Sequence, residues 1–523
     1  MTEETTTQEI ENALQALRLT SPQPSAIKTL ATASRTSEST RQALNNPSII
    51  RAIIDTIELS LATDLETTDQ ALRLLANACV SSPPSPSPPP STSTSTSAPT
   101  TPEHGPRDHI ASIGFSWAIQ CLSPHISADD EDIRILTTKV LRNIASEHEI
   151  SQKKCYEDKV HFALVRFLQH VVGNNGDVDV DAGIDVLFTI MGQKGTLEAK
   201  LNERLPRDVV EGVLRLADLW AGDDGGEDDV ETFATIVETE LVFLRDEVVQ
   251  TQIVEENKFE QVWMLLEKIE GVIVELKRAG LQVTEVESGD QRPLPHYCEN
   301  GHREEDLKLL VPLQASLVWC LSDMAASPAF PVAYAWDDER MHFLIYIIQA
   351  AADTARGQTR QTYPSEFAAT SATGQKFNAA CQVLGNLLWA QKEPQQYVRL
   401  VESAELHKDL IDIIALGGYD AAFPDTLHSI AGLLIQLSRP SVEVREVIGS
   451  YGPASDAIAR LCRHERPEIK QGGIKLVKAL GRDCHANQRC FADLAGAAMA
   501  GLQPASGDHS GDTDSVMAVD GPS

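Results

Sequence analysis

The sequence predicts an all-α chain built as a solenoid of stacked helical repeats, and three observations predict it. A short apolar helix core with a polar residue at one fixed place recurs at Leu74-Leu75-Ala76-Asn77-Ala78, Val140-Leu141-Arg142-Asn143-Ile144-Ala145 and Val383-Leu384-Gly385-Asn386-Leu387-Leu388. Degenerate copies follow at Leu433-Leu434-Ile435-Gln436-Leu437, 50 residues on from Asn386 to Gln436, and at Leu476-Val477-Lys478-Ala479-Leu480, 43 further on to Ala479. Aromatic residues make up 5% of a chain that is 42% hydrophobic, so Leu, Ala, Ile and Val supply the apolar mass. That balance suits Leu/Ala-packed helices better than β-sandwiches, which favour aromatic and β-branched residues.

Repeat spacings of roughly 40 to 47 residues with helical content are those of armadillo and HEAT solenoids. The expected fold is therefore an armadillo/HEAT-like, right-handed superhelical solenoid with disordered insertions. The interval from Asn77 to Asn143 tests this, because its 66 residues exceed one repeat. Residues 81–106 interrupt it with a Ser/Thr/Pro-rich run that lacks the apolar surface to fold, and removing the run leaves about 40. The run reads as a disordered insertion inside one repeat, which a solenoid tolerates because insertions fall outside the stacked core.

Taken in order, residues 1–80 read as N-terminal armadillo-like helices, with Ile10, Leu14 and Leu17 at helical spacing and a periodic run from Ile49 to Leu61. After the 81–106 insertion, residues 107–220 form armadillo-like repeats: Phe115 to Ile119, Ile133 to Ser146, the apolar helix of 159–172, and an inner helix near Gly183 to Met191. Residues 221–306 read as irregular helices, Phe233 to Val249 and Phe259 to Lys277, between an acidic loop at 222–231 and a polar insertion near 285–305. Repeat register is open there. Residues 307–502 return to armadillo-like repeats, with Leu307 to Met324, the units around Phe377 and outer helices such as His407 to Ala415. Pro424 and Pro467 stand near helix starts, where a missing amide costs little, and Asp425 and Glu468 add favourable first-turn charge. Residues 503–523 are polar and acidic, and read as a disordered tail.

The formal charge of −32, from 76 acidic and 44 basic residues, disfavours phosphate backbones and anionic membranes and complements a basic protein partner. Acidity that merely keeps a large protein dispersed is the plainer reading. Nine cysteines lie without framework spacing, several inside apolar helical runs, which suits a reducing compartment. The polar, acidic first residues do not read as a signal or transit peptide, and no apolar run approaches about 18 residues. A cytoplasmic location is the expectation.

Asn77, Asn143 and Asn386 occupy one position in three repeats. These units resemble in pattern the armadillo repeats of importin-α and β-catenin, where an asparagine on each third helix lines the concave groove and bonds the backbone of an extended ligand. An amide suits that task because it donates and accepts. The alternative is that each asparagine caps or packs locally. Trp389 stands three residues after Asn386, but Asn77 and Asn143 lack such a neighbour, so the tryptophan ladder of an importin-like groove is missing. The run Asp129-Asp130-Glu131-Asp132, with further acids at Asp177 to Asp181 and Asp223 to Glu231, is a candidate electronegative face, against the simpler reading of solvated loops. Asp177 to Asp181 lacks the glycine and terminal glutamate of a calcium loop. His296, Cys298, His302, Cys462, His464, Cys484, His485 and Cys490 supply metal-ligand types without the paired spacing zinc favours, so neither a metal nor a cofactor is expected. No phosphate-binding, nucleophile-elbow, zinc-protease or kinase motif occurs. The chain is expected to act by binding rather than as an enzyme.

The stretches at 70–80, 137–146, 377–390 and 467–481 together resemble the Smg GDP-dissociation stimulator family, better at the ends of the chain than in its middle. The resemblance implies an armadillo protein that engages small GTPases with basic, often prenylated C-terminal tails and promotes GDP release or chaperones them. Such guanine-nucleotide exchange needs no catalytic side chain, because tighter binding of the nucleotide-free form shifts the population. A non-catalytic armadillo scaffold, resembling the ataxin-ten-like proteins, is the alternative, and a regulator of heterotrimeric G-protein α subunits is a third.

Overall fold

The computed structural model describes residues 7–17, 24–80, 105–123, 131–174, 181–191, 204–220, 230–282, 303–334, 339–357, 372–390, 398–416, 424–492 and 494. Every regular element among them is helical, as the composition predicts. The chain divides into two compact units, Met1–Ala333 and Tyr334–Ser523.

In the first unit α1 (Thr7–Leu17) and α2 (Pro24–Thr36) precede a set of triplets. The first triplet is α3 (Glu38–Leu44), α4 (Pro47–Ser60) and α5 (Leu65–Val80), and the second is α6 (Pro106–Ile113), α7 (Ser116–Leu122) and α8 (Glu131–Ala145). The third is α9 (Glu149–Glu157), α10 (Val160–Asn174) and α11 (Asp181–Met191). A shortened one follows, α12 (Arg207–Val213) with a 3-10 turn at Leu216–Leu219 and α13 (Val230–Leu244). The last is α14 (Glu247–Glu255), α15 (Phe259–Gln282) and α16 (Arg303–Ala326), and α17 (Phe330–Ala333) ends the unit. The third helix of each triplet packs on its counterpart in the next, so α2, α5, α8, α11, α13 and α16 form a continuous inner stack. Behind it α4, α7 and α10 pack in series. A nearest-neighbour stack of this kind is an armadillo-like solenoid.

The second unit repeats the plan. Helix α18 (Glu339–Gly357) leads to α19 (Ala372–Ala390), and a π turn at Arg399–Ser403 to α20 (Leu406–Leu416) and α21 (Pro424–Leu437). Then come α22 (Val442–Ser450), α23 (Ala454–Arg463), α24 (Pro467–Gly481) and α25 (His485–Cys490). Here α19, α21 and α24 are the inner stack, with α18, α20 and α23 stacked behind. Gly473 permits a close approach of backbone to backbone, since a Cβ there would lie 2.7 Å from the Cys462 amide nitrogen on α23.

Two differences from the sequence reading have clear causes. The single helix expected over 233–249 breaks after Leu244, because the Asp246 carboxylate accepts from the Val248 and Val249 amides at 2.9 and 3.2 Å and so starts α14 as its N-cap. The expectation that no apolar run is long enough to cross a bilayer fails for Glu304–Ala326, which is long and apolar enough by length and composition. That helix is α16, and Leu310, Leu317, Leu321 and Met324 are buried on it, in a helix packed against α13 and α15. Inner-stack packing explains its composition.

The corners between helices carry a recurring device. Glu147 after α8 and Asp483 after α24 turn the chain at φ of 55° and 56°. Seven residues beyond each inner helix a buried amide returns to its last carbonyls: Gln152 Nε2 donates to the Ala145 carbonyl at 2.7 Å, and Asn487 Nδ2 to that of Leu480 at 3.0 Å. Gln250 reaches back six residues to the Leu244 carbonyl at 2.9 Å. Helix ends leave carbonyls unsatisfied, and these amides supply donors where water has no access.

Candidate functional site

The inner helices present the one face that neither neighbouring inner helices nor the second layer cover, so any groove of the solenoid lies there. In the first unit Asn77 is half-buried on α5 and spends its amide on the preceding repeat, where Nδ2 donates to Ser34 Oγ at 2.9 Å and to the Ala31 carbonyl at 3.4 Å. It ties α5 to α2. Asn143 is half-buried at the equivalent place on α8, and Asn386 likewise on α19 in the second unit. Trp389 is 46% exposed on the same stripe of α19.

Of the acidic run, Asp129 and Asp130 lie outside the described residues, Glu131 is half-exposed and Asp132 exposed in the first turn of α8. Asp177, Asp179 and all of 223–229 also lie outside them. First-turn acids recur on the inner stack, at Glu66 on α5, Asp132 on α8, Glu231 on α13 and Glu304 on α16, each favoured by the partial positive charge of a helix N-terminus. Some meet cations: Lys28 lies 3.0 Å from Glu66 and Arg142 lies 2.7 Å from Asp185 of the next repeat. Residues 1–333 nevertheless hold 53 of the 76 acidic residues and 27 of the 44 basic ones, a net of −26. The unit thus carries 26 more carboxylates than cations.

The second unit is less acidic, with 23 acidic and 17 basic residues, and it carries a local basic stripe. Along α24 the exposed residues Gln471, Lys475 and Lys478 follow the i, i+4, i+7 spacing of one helix face, Arg482 caps the C-terminal end of that helix, and Arg439 stands two residues past the end of α21. Gly472 faces Ala431 of α21 and Gly473 faces α23, which leaves the lysine stripe on the open side. Arg439 Nη1 donates to Gln436 Oε1 at 2.9 Å, and Gly385 of α19 faces that same glutamine. The sequence carried the signal in the spacing of 475, 478 and 482, masked by an average charge dominated by the first unit.

Titratable groups in the interior are structural. Glu240 on α13 is buried, accepts from the Ala217 amide at 2.7 Å, and has its carboxyl pushed up to about 8 by burial and by Asp218, against the pull of that amide and of Lys268. The Lys268 ammonium donates to the Ala217 and Trp220 carbonyls. His161 is fully buried, stacks on Tyr156 at 4.8 Å, and has neither ring nitrogen hydrogen-bonded among the described residues. Burial, helped by Lys159, lowers it to about 3. Cys79, Cys121 and Cys320 are buried thiols raised to about 12, with desolvation the main cause in each. No group of three metal-ligating side chains occurs among the described residues. Of the sequence candidates, His464 instead accepts from the Arg466 amide at 3.1 Å at the start of α24, and residues 296–302 lie outside the described set.

No family model matches the chain, and no curated protein matches it. Among solved structures it is similar to one from work on a phosphorylation switch controlling the interaction between cadherin and beta-catenin. That match has 12% identity, covers 90% of this chain and 96% of the other, and has a TM-score of 0.29. It is also similar to Uso1-2, with 12% identity over 94% of this chain and 64% of that one, at a TM-score of 0.43. The solenoid assignment rests on the helix stacking described above.

Proposed function

We propose that this chain is a non-enzymatic binding protein whose acidic first unit engages the basic C-terminal tail of a small GTPase, favouring GDP release, chaperoning the GTPase, or both. The observation that carries the reading is the excess of 26 carboxylates in residues 1–333, with exposed acids at the starts of successive inner helices. A flexible polybasic segment is the natural complement of such a surface, and it gains on-rate and register from it. Release of GDP would follow if the solenoid bound the nucleotide-free GTPase more tightly than the loaded one, with no side chain acting on a bond.

The test is release of a fluorescent GDP analogue from a panel of Ras- and Rho-type GTPases, with and without their basic tails, at low and physiological salt. Acceleration that needs the tail and weakens with salt supports the reading. Tail-dependent binding with unchanged release would assign the chain to a scaffold without exchange activity, and no binding to any member would refute the GTPase reading.

A further inference from the structure

We infer that the inner face of the second unit is a separate docking surface for an acidic, extended peptide segment of a partner protein. In a chain of net charge −32, residues 439–489 hold ten basic residues against six acidic ones. The excess is not spread evenly over their surface. Lys475 and Lys478 are exposed on one stripe of α24 and Arg482 is exposed at its C-cap, and none of them forms a salt bridge among the described residues. This contrasts with the inner stack of the first unit, where Lys28, Arg73 and Arg142 each lie on a carboxylate at 2.7 to 3.0 Å. Holding like charges along one helix face with no counterion is unfavourable in the free protein, so neutralisation by a ligand returns that cost as affinity.

The neighbouring inner helices define what kind of anion fits. Here α21 offers the half-buried Ile435, with Gln436 held by the guanidinium of Arg439 just past the helix end. Helix α19 offers Gln382 and the half-exposed indole of Trp389. Amide side chains donate and accept, which matches a peptide backbone, while the indole and the isoleucine offer contact to apolar side chains between the acids. A polyphosphate or an anionic bilayer needs many cations and meets the repulsion of the rest of the chain, whereas a short run of Asp or Glu needs about three. An acidic peptide laid across α19, α21 and α24 satisfies all three sets of groups. The surface lies in the second unit, whereas the charge that carries the GTPase reading lies in residues 1–333, so the peptide test and the GDP-release test can fail independently.

The test uses the full chain and a fluorescein-labelled twelve-residue peptide rich in Asp and Glu with interspersed Leu, read by anisotropy, with a Lys-rich peptide of the same length as control. Wild type should bind the acidic peptide in a salt-sensitive manner. The triple variant Lys475→Gln, Lys478→Gln, Arg482→Gln should weaken it at least tenfold, while Lys475→Arg with Lys478→Arg keeps it and Trp389→Ala weakens it severalfold. These positions are exposed, and an unchanged circular-dichroism melt establishes that the fold is intact. No binding by wild type, equal binding by the triple glutamine variant, or competition by duplex DNA or phosphatidylserine vesicles as strong as by unlabelled peptide would each overturn the inference. Binding that appears only after Asp508, Asp512, Asp514 and Asp520 are changed to Asn would also overturn it, because the occupant would then be the chain's own C-terminal residues.

Discussion

Replacing Arg356 by Met should destabilise the second unit by about 2 to 3 kcal/mol at pH 7. Arg356 on α18 donates through Nη2 to Asp409 Oδ1 at 2.6 Å and to Asp412 Oδ2 at 2.8 Å, both on α20, and through Nε to Asp412 at 2.9 Å. The other Asp412 oxygen accepts the Tyr451 hydroxyl at 2.8 Å. Hydrogen bonds to charged groups contribute about 1.5 to 3 kcal/mol each, and stripping the partner from a buried ion costs about 3 to 5. The Asp409 and Asp412 side chains are only 11% and 14% exposed, but the guanidinium side chain is 38% exposed, so solvent screening brings the sum down to the stated range. Methionine keeps the apolar stem and removes the charge. Burial already raises the Asp409 carboxyl against the pull of Arg356, so without the arginine its folded pKa rises further above the unfolded value of 3.8. A carboxyl with a raised folded pKa loses stability as pH rises through that pKa, so the deficit should be larger at pH 7 than at pH 5. Urea unfolding of the full chain at both pH values, with hydrogen exchange to assign the transition to α18 and α20, measures it. Adding Asp412→Asn to the methionine variant should restore about 1 kcal/mol by removing the like charge. A loss below about 1 kcal/mol at pH 7, or one of the same size at pH 5, would refute this account.

Three further expectations concern the interior and the corners. His161→Phe should stabilise the first unit by about 1 to 2 kcal/mol at pH 7, because two buried ring nitrogens without partners disappear while the stack on Tyr156 remains. Wild type should also lose roughly 1.4 kcal/mol per pH unit as pH falls from 6.5 toward about 3, since a histidine lowered to about 3 must bind its proton unfolded, and the phenylalanine variant should lack that slope in an acid titration of stability. Glu240→Gln should flatten the opposite dependence: a carboxyl raised from 4.5 to about 8 gives stability that is full below 4.5 and lost as pH rises through 8, and thermal melts from pH 5 to 9 report it. Lys159→Gly and Glu405→Gly, at corners with φ of 65° and 50°, should each raise stability by up to about 1 kcal/mol in urea titrations, and a destabilisation would show that their side-chain contacts outweigh the backbone strain.

The helices that end in the recurring apolar core, with an amide on α5, α8, α19 and α21 and Ala479 in its place on α24, were legible in the sequence because the core motif carries both their period and their repeat spacing. The middle third was not, since α13 is apolar almost all round and the 204–220 segment shortens to one helix and a 3-10 turn, which hides the repeat that the stack preserves. The break at Asp246 had its signal in an acid followed by two amides it could cap, outweighed by continuous periodicity. Pairings such as Arg356 with Asp412 or Asn77 with Ser34 join residues more than 40 apart, and nothing in a single sequence links them. The lysine stripe lay in plain view, in LysLeuValLys spacing, but the average over the chain points to the opposite sign.

The corner after α8 and the corner after α24 are built from interchangeable parts: one acidic residue in the left-handed region and one amide reaching back seven residues to the helix end. Each corner is also tied to an earlier helix of its own repeat, Asn487 donating to the Arg445 carbonyl on α22 at 2.6 Å and Arg107 on α6 donating to the Ser146 carbonyl at 2.8 Å. A segment respliced from one such joint to another would meet the same fitting at the helix end only if it carried its whole triplet with it, so the transferable unit of this chain is the repeat and not the single helix.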